Sequence, residues 1–259
     1  MIKRIKEIYA YRTMIDSLVK RDLKGRYKGS VLGFLWTFIN PLFQLLIYTF
    51  VFSVVMRNGI KDYYMFLFVA LIPWIFFSTC LAGGATCITT QKNLVQKIYF
   101  PREVLPLSYV ISQFINMLLS FIIIFLVMLI MGYEFNPMAI LCLIPVMLVE
   151  FLLALGFTFV LSALTVYFRD TQYIVSIAAM AWQFLSPVMY SPDLIPEKYL
   201  NIYMMNPMAP IIVAYRDILY YAKVPELSTL LMTLAVGVIL FAIGWFAFDR
   251  MQRHFAEEM

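Results

Sequence analysis

The sequence predicts an all-α integral membrane protein with six transmembrane helices, and three observations carry that reading. First, only 14% of the 259 residues are charged and 63% are hydrophobic, where a soluble domain carries about 25% charged residues. Second, the charges are clumped. Residues 29–56, 63–91, 104–133, 171–192 and 227–248 hold no Asp, Glu, Lys or Arg, and residues 135–168 are interrupted only by Glu150. A bilayer core takes roughly 20 apolar residues per helix, which places spans at 31–56, 64–90, 105–131, 136–167, 171–190 and 228–248. Third, Lys and Arg near span ends mark the cytoplasmic side. With the N-terminus inside, fifteen of the 20 Lys and Arg fall inside and five outside. Both termini are therefore expected in the cytoplasm, and much of the net charge of +5 is an orientation signal.

The elements follow in chain order. Residues 1–30 place Ile5, Ile8, Ile15, Leu18, Val19 and Leu23 near helical spacing, with Lys20, Lys24 and Lys28 in an i, i+4 row on another side. This is an amphipathic helix suited to the membrane interface, where anionic lipid is one partner for its cations. Gly25, Gly29 and Gly33 repeat every four residues, which suits either close helix approach or a hinge into the first span. The loop from Gln91 to Pro106 mixes basic and apolar side chains, and Pro101 ends any helix before it. Either it simply connects two spans, or it forms a short helix across the membrane face on which a soluble partner docks. Phe168-Arg169-Asp170 is a tight turn between spans four and five. The last outer segment, 191–227, contains a charge-free stretch from Tyr199 to Tyr215 that Asn206, Pro207 and Pro210 interrupt. Two short helices re-entering the outer leaflet fit it better than a full span. Residues 249–259 form a cytoplasmic tail, and the whole chain reads as a single transmembrane domain.

Some chemistries are disfavoured. Cys80, Cys87 and Cys142 lie in apolar runs without metal-ligand spacing, so no metal site is expected. His254 is the single histidine, and no acidic cluster gathers at an interface, which argues against an intramembrane enzyme on polyprenyl sugars. One buried acid is a thin relay for a proton-coupled transporter. The charged first residues and the length of the first apolar run do not fit a cleavable signal.

Several stretches together resemble a known family. They are Leu18–Tyr27 with Ser30–Gly33, Trp36 and Pro41; Asn93 to Pro101 with Leu105-Pro106; Phe168-Arg169-Asp170; Ser186-Pro187-Val188 with Tyr190; and Asn206-Pro207 with Arg216. In this order and spacing they resemble the type-2 ABC export permeases of the polysaccharide branch, the Wzm/TagG-like membrane subunits that export O-antigen, teichoic acid, capsule or cell-wall glycans. The resemblance implies a homodimer in the bacterial inner membrane with two copies of an ABC ATP-binding subunit. No Gly-x-x-x-x-Gly-Lys-Ser/Thr pattern occurs in this chain, so ATP and Mg belong to that partner. The resemblance assigns ATPase coupling to Asn93, Lys97, Phe100, Pro101, Arg102 and Glu103, with Arg169 and Asp170 at a second contact. The expected substrate is a glycan on undecaprenyl pyrophosphate. Its phosphates suit Lys20, Arg21, Lys24, Arg26 and Lys28 at the inner interface. Aromatic faces suit sugar rings, and Phe34, Trp36, Phe38, Trp74 and Trp182 are candidates for the translocation path, together with Glu150. For Glu150 the alternatives are a path-lining acid, a pair across the dimer, support for a helix joint with the outer segment, and a protonated, hydrogen-bonded acid with a purely structural role. Gln113, Asn116 and Gln183 are lesser polar candidates whose default is interhelical hydrogen bonding. A type-2 permease for a smaller lipid or drug is the nearest alternative.

Overall fold

The computed structural model describes residues 2–25, 28–57 and 59–258, and all regular structure among them is helical. Two short helices, α1 (Ile2–Ala10) and α2 (Arg12–Gly25), precede the bundle. They bury Ile8, Leu18 and Val19 while Ile5 stays exposed, and α2 packs along α6 (Val104–Met131). The segment expected to form one helix is thus two, broken at Tyr11. The glycines after it serve as a turn. Gly29 and Gly33 have φ of +85° and +49°, and no atom would meet a Cβ on Gly25, Gly29 or Gly33.

Among the described residues, five helical segments are long and apolar enough to cross a membrane: Trp36–Val55, Tyr63–Thr86, Val104–Met131, Pro137–Tyr167 and Leu227–Met251. The first comprises α3 (Trp36–Thr49) and a wider turn, Phe50–Val55. The second is α4. The fourth comprises α7 (Pro137–Leu141) and α8 (Leu143–Tyr167), with Asn136 capping α7 through Met138 N at 3.1 Å. The fifth is α12. Helix α4 is apolar all round and is buried on nearly every side, as such a helix must be. Helix α3, by contrast, is peripheral and exposes Leu42, Phe43, Leu46 and Ile47.

The expected span at 171–190 is different. It is a 14-residue helix, α9 (Thr171–Phe184), followed by turns and bends. Fourteen residues rise about 21 Å, short of a hydrocarbon core of about 30 Å. The chain continues upward without helix, because Pro187 cannot donate to a helical ladder. Helices α10 (Glu197–Met204) and α11 (Met208–Leu219) follow. Asn206, between them, lies level with Trp182 and Leu185, so this pair dips into the bundle and returns.

Contacts between segments far apart in the sequence define two ends. Arg4–Glu103, Arg102–Gln252 and Tyr167–Met251 gather at one end. Tyr220–Lys61, Tyr64–Tyr133 and Asn136–Ala222 gather at the other. The segments near both termini, Arg4 and Gln252, therefore share an end.

The tightest crossing is α8 on α12. A Cβ on Gly244 would sit 2.3 Å from the Gly156 carbonyl oxygen, and one on Gly156 would sit 2.8 Å from Leu240 O. Small residues allow such backbone approach in membranes. Gly244→Val should therefore destabilise the bundle by about 1–3 kcal/mol or more, seen as a lower melting temperature of the purified chain. An unchanged melting temperature would show that this crossing relaxes freely.

Candidate functional site

The end that gathers Arg4, Glu103 and Gln252 carries a ledge. A 3-10 turn, Thr89–Gln91, leads into α5 (Lys92–Lys97). Helix α5 ends where Ile98 turns extended, with φ −129° and ψ 135°. One face of the ledge looks outward: Lys92, Asn93, Gln96 and Lys97 are exposed, with Ile98 54% and Tyr99 84% exposed. The next residues turn inward. Phe100, Pro101 and Glu103 are buried and Arg102 is half-buried.

What fixes the ledge is a clasp beneath it. Glu103 is 1% exposed. Its Oε1 accepts from Arg4 Nε at 2.8 Å and from Gln252 Nε2 at 2.8 Å. Gln252 Nε2 also donates to Asp249 Oδ1 at 3.0 Å. Arg102 donates to the Gln252 carbonyl and lies over the Phe255 ring. Phe255 is fully buried against Tyr167 and Phe248, and Tyr167 Oη donates to Met251 O at 2.7 Å. The clasp joins α1, the loop before α6, the end of α8 and the C-terminal segment.

Beside it, Phe168, Arg169 and Asp170 are exposed at the turn from α8 to α9. The 3-10 turn ahead of α5 touches α8, so this turn and the ledge sit on one surface. Of the residues singled out for coupling, Asn93, Lys97, Arg169 and Asp170 present themselves for contact. Phe100, Pro101 and Glu103 lie underneath as support, and Arg102 is committed to the clasp. Sequence reasoning passed over Ile98 and Tyr99, although two apolar residues next to a basic one on a loop are a recognisable contact signal. It also passed over Gln252 and Phe255, for which the sequence holds no local sign.

The cations of the interface helix split by partner. Lys20 pairs with Asp16 at 2.7 Å, while Arg21, Lys24 and Lys28 are exposed. Arg26 lies outside the described residues. Arg21 and Asp22 line a cleft of 360 Å³ shared with Thr86, Gln91, Ser108 and Tyr109, and Ser112 Oγ donates to Asp22 at 2.5 Å.

Aromatic and acidic residues in the spans also separate. Trp74 is 2% exposed and packed on Phe77, reaching no surface of the chain. Trp36 and Phe38 are half-buried on α3; the Phe34 side chain is not among those described. Trp182 stands edge-on to Phe77 and Phe157 and donates to Asn206 Oδ1 at 2.9 Å. Glu150 is fully buried and accepts from Tyr215 Oη at 2.6 Å, joining α8 to α11. The neighbouring Arg216, 2% exposed, donates to the carbonyls of Val188, Tyr190 and Phe66 at 2.7, 3.0 and 3.3 Å. It also lies 3.6 Å over the Phe66 ring. An arginine closing an uncharged stretch was the available signal for this joint.

Span-length apolar helices packed into one bundle, with a solvent-facing ledge at one end, are the anatomy of a polytopic membrane permease. The family model described as ABC-2 type transporter matches residues 13–220, and the chain belongs to that family. It is similar to the O-antigen export system permease protein RfbA of Myxococcus xanthus, 39% identical across 100% of both chains. A protein of the same name from Klebsiella pneumoniae is 31% identical across 98% of each. The polysialic acid transport protein KpsM of Escherichia coli is 22% identical across 89% of this chain and 93% of its own.

Proposed function

We propose that this chain is the transmembrane subunit of an ATP-driven exporter that moves a lipid-linked polysaccharide out of the cytoplasm across the inner membrane. The observation that carries the reading is the ledge. Lys97 at the end of a short helix and Ile98 and Tyr99 just after it project from a base locked by the Glu103 clasp, as a surface must be if it is to pass on force. The likeness to O-antigen export permeases over the full chain supports the same substrate class.

In this reading the ledge end is cytoplasmic and the whole chain acts as one permease domain. A separate ABC ATP-binding subunit, holding ATP and Mg, seats on Asn93–Tyr99 and on Phe168–Asp170. Two copies of each subunit form the transporter. Helices α1 and α2 lie in the inner interface, where Arg21, Lys24, Arg26 and Lys28 attract the undecaprenyl pyrophosphate headgroup, with Lys20 shared with Asp16. Helix α9 and the segment to Tyr190 make the sixth crossing together, and α10 and α11 re-enter from outside. Trp36, Phe38 and Trp182 are the aromatic candidates for the path.

Co-expression with an ABC ATP-binding subunit tests this directly. Tyr99→Ala and Lys97→Glu should each weaken the purified complex at least tenfold, about 1.4 kcal/mol, the scale of an interface anchor. Full affinity in both variants would remove the ledge as the docking surface.

A further inference from the structure

A polar cleft of 170 Å³ opens between α3, α4 and α6. Its walls combine the aromatic residues Trp36 and Phe76 with Asn40, Thr79, Gln113 and Asn116. Asn40 is exposed on α3 and forms the lip. Gln113 lies roughly 13 Å along α6 from the ledge end, at 1.5 Å per residue.

Two groups in this cleft are orphans. Gln113 Nε2 and Asn116 Oδ1 are buried and have no hydrogen-bond partner among the described residues. Polar side chains in spans ordinarily bond across to the next helix, and these atoms do not. Being three residues apart on a helix, the two side chains share a face. An amide N–H beside an amide carbonyl matches a hydroxyl group, which both donates and accepts. Trp36 adds a different surface. Its ring N–H is already given to Ser30 Oγ at 2.9 Å, so what it has left for the cleft is its flat apolar face. A flat aromatic face next to an amide donor and acceptor is the chemistry that holds a sugar ring. The C–H face of the ring lies on the aromatic, and its hydroxyls meet the amides.

We propose that this cleft is a subsite for one sugar ring of the glycan in transit. Gln113 and Asn116 hold its hydroxyls and Trp36 lies against its face. The subsite rests on the exporter reading above. The plain alternative is a cleft filled by water.

The test uses the full transporter in cells that make the glycan. A photo-crosslinking benzoyl-phenylalanine at Asn40 should capture glycan. Gln113→Leu together with Asn116→Leu should cut both that adduct and the export rate fivefold or more. The same pair should leave the melting temperature of the purified chain unchanged or about 2–4 °C higher, because two orphaned polar groups are gone. Lost export with a lowered melting temperature overturns the proposal in favour of a structural role. Undiminished export and adduct in the leucine pair leave the cleft to water and overturn it too. If deleting the chain leaves the surface glycan unchanged, the exporter reading itself fails and the subsite with it. That result is distinct from deletion stopping export while the leucine pair sustains it.

Discussion

Glu103→Ala is expected to uncouple the ledge from the bundle, at a cost of about 3 kcal/mol in stability. The carboxylate is buried and holds Arg4 and Gln252 on one oxygen. Breaking a buried ion pair from one side costs roughly 3–5 kcal/mol, since a charge is left without its partner. Arg4 keeps 32% of its side chain exposed and a second bond to Glu7, so water relieves part of the loss and the lower end applies. Glu103→Gln keeps an acceptor for both partners and should cost much less. The readouts are the melting temperature of the purified chain and the export rate at matched expression. An alanine variant as stable and as active as the parent would show that the clasp holds nothing. An alanine variant that still binds the ATP-binding subunit while export stops would place the defect in transmission through the clasp.

The second large effect concerns the joint that Arg216 holds. Arg216→Met should destabilise the segment 186–190 by about 3–5 kcal/mol. Three carbonyls lose their donor at once, each buried acceptor costing about 1–3 kcal/mol and the three not summing fully. The stacking of the guanidinium on Phe66 is lost as well. Limited proteolysis after Tyr190, with melting temperature alongside, would register the change; equal resistance in both proteins would refute the clamp. Glu150→Gln is the informative contrast. Glutamine still accepts from Tyr215, so if Glu150 only joins α8 to α11 the variant should export normally. Lost export at normal expression would instead show that the charge is needed.

Much of this architecture was legible because a bilayer leaves few choices. Runs without charge located five span-length helices within a few residues, since a charged side chain inside a span is costly. The loop at 91–106 and the turn at 168–170 stood out because they interrupt those runs. Pro101 and Pro207 told where helices must stop, whereas the break before Pro187 fell inside an expected span. By itself, then, the sequence determined the number of long apolar helices to within one, the gathering of cations near one set of ends, and the positions of the loops between them.

Which way individual side chains face depends on the packed bundle. Tyr99 and Phe100 are adjacent, yet one is 84% exposed and the other 5%. The clasp on Glu103 a few residues on is made by Arg4 and Gln252, each about a hundred or more positions away in the chain. Trp74 and Trp36 look alike in an apolar run, but α4 is enclosed by its neighbours and α3 is not. The glycine repeat at 25, 29 and 33 turned the chain, while the close helix approach fell to Gly156 and Gly244, whose contact depends on two helices far apart in sequence. Local propensity and hydropathy are properties of one segment. Burial, partnering and orphaned polar atoms are properties of two or more segments brought together, so they arise only when the bundle is assembled.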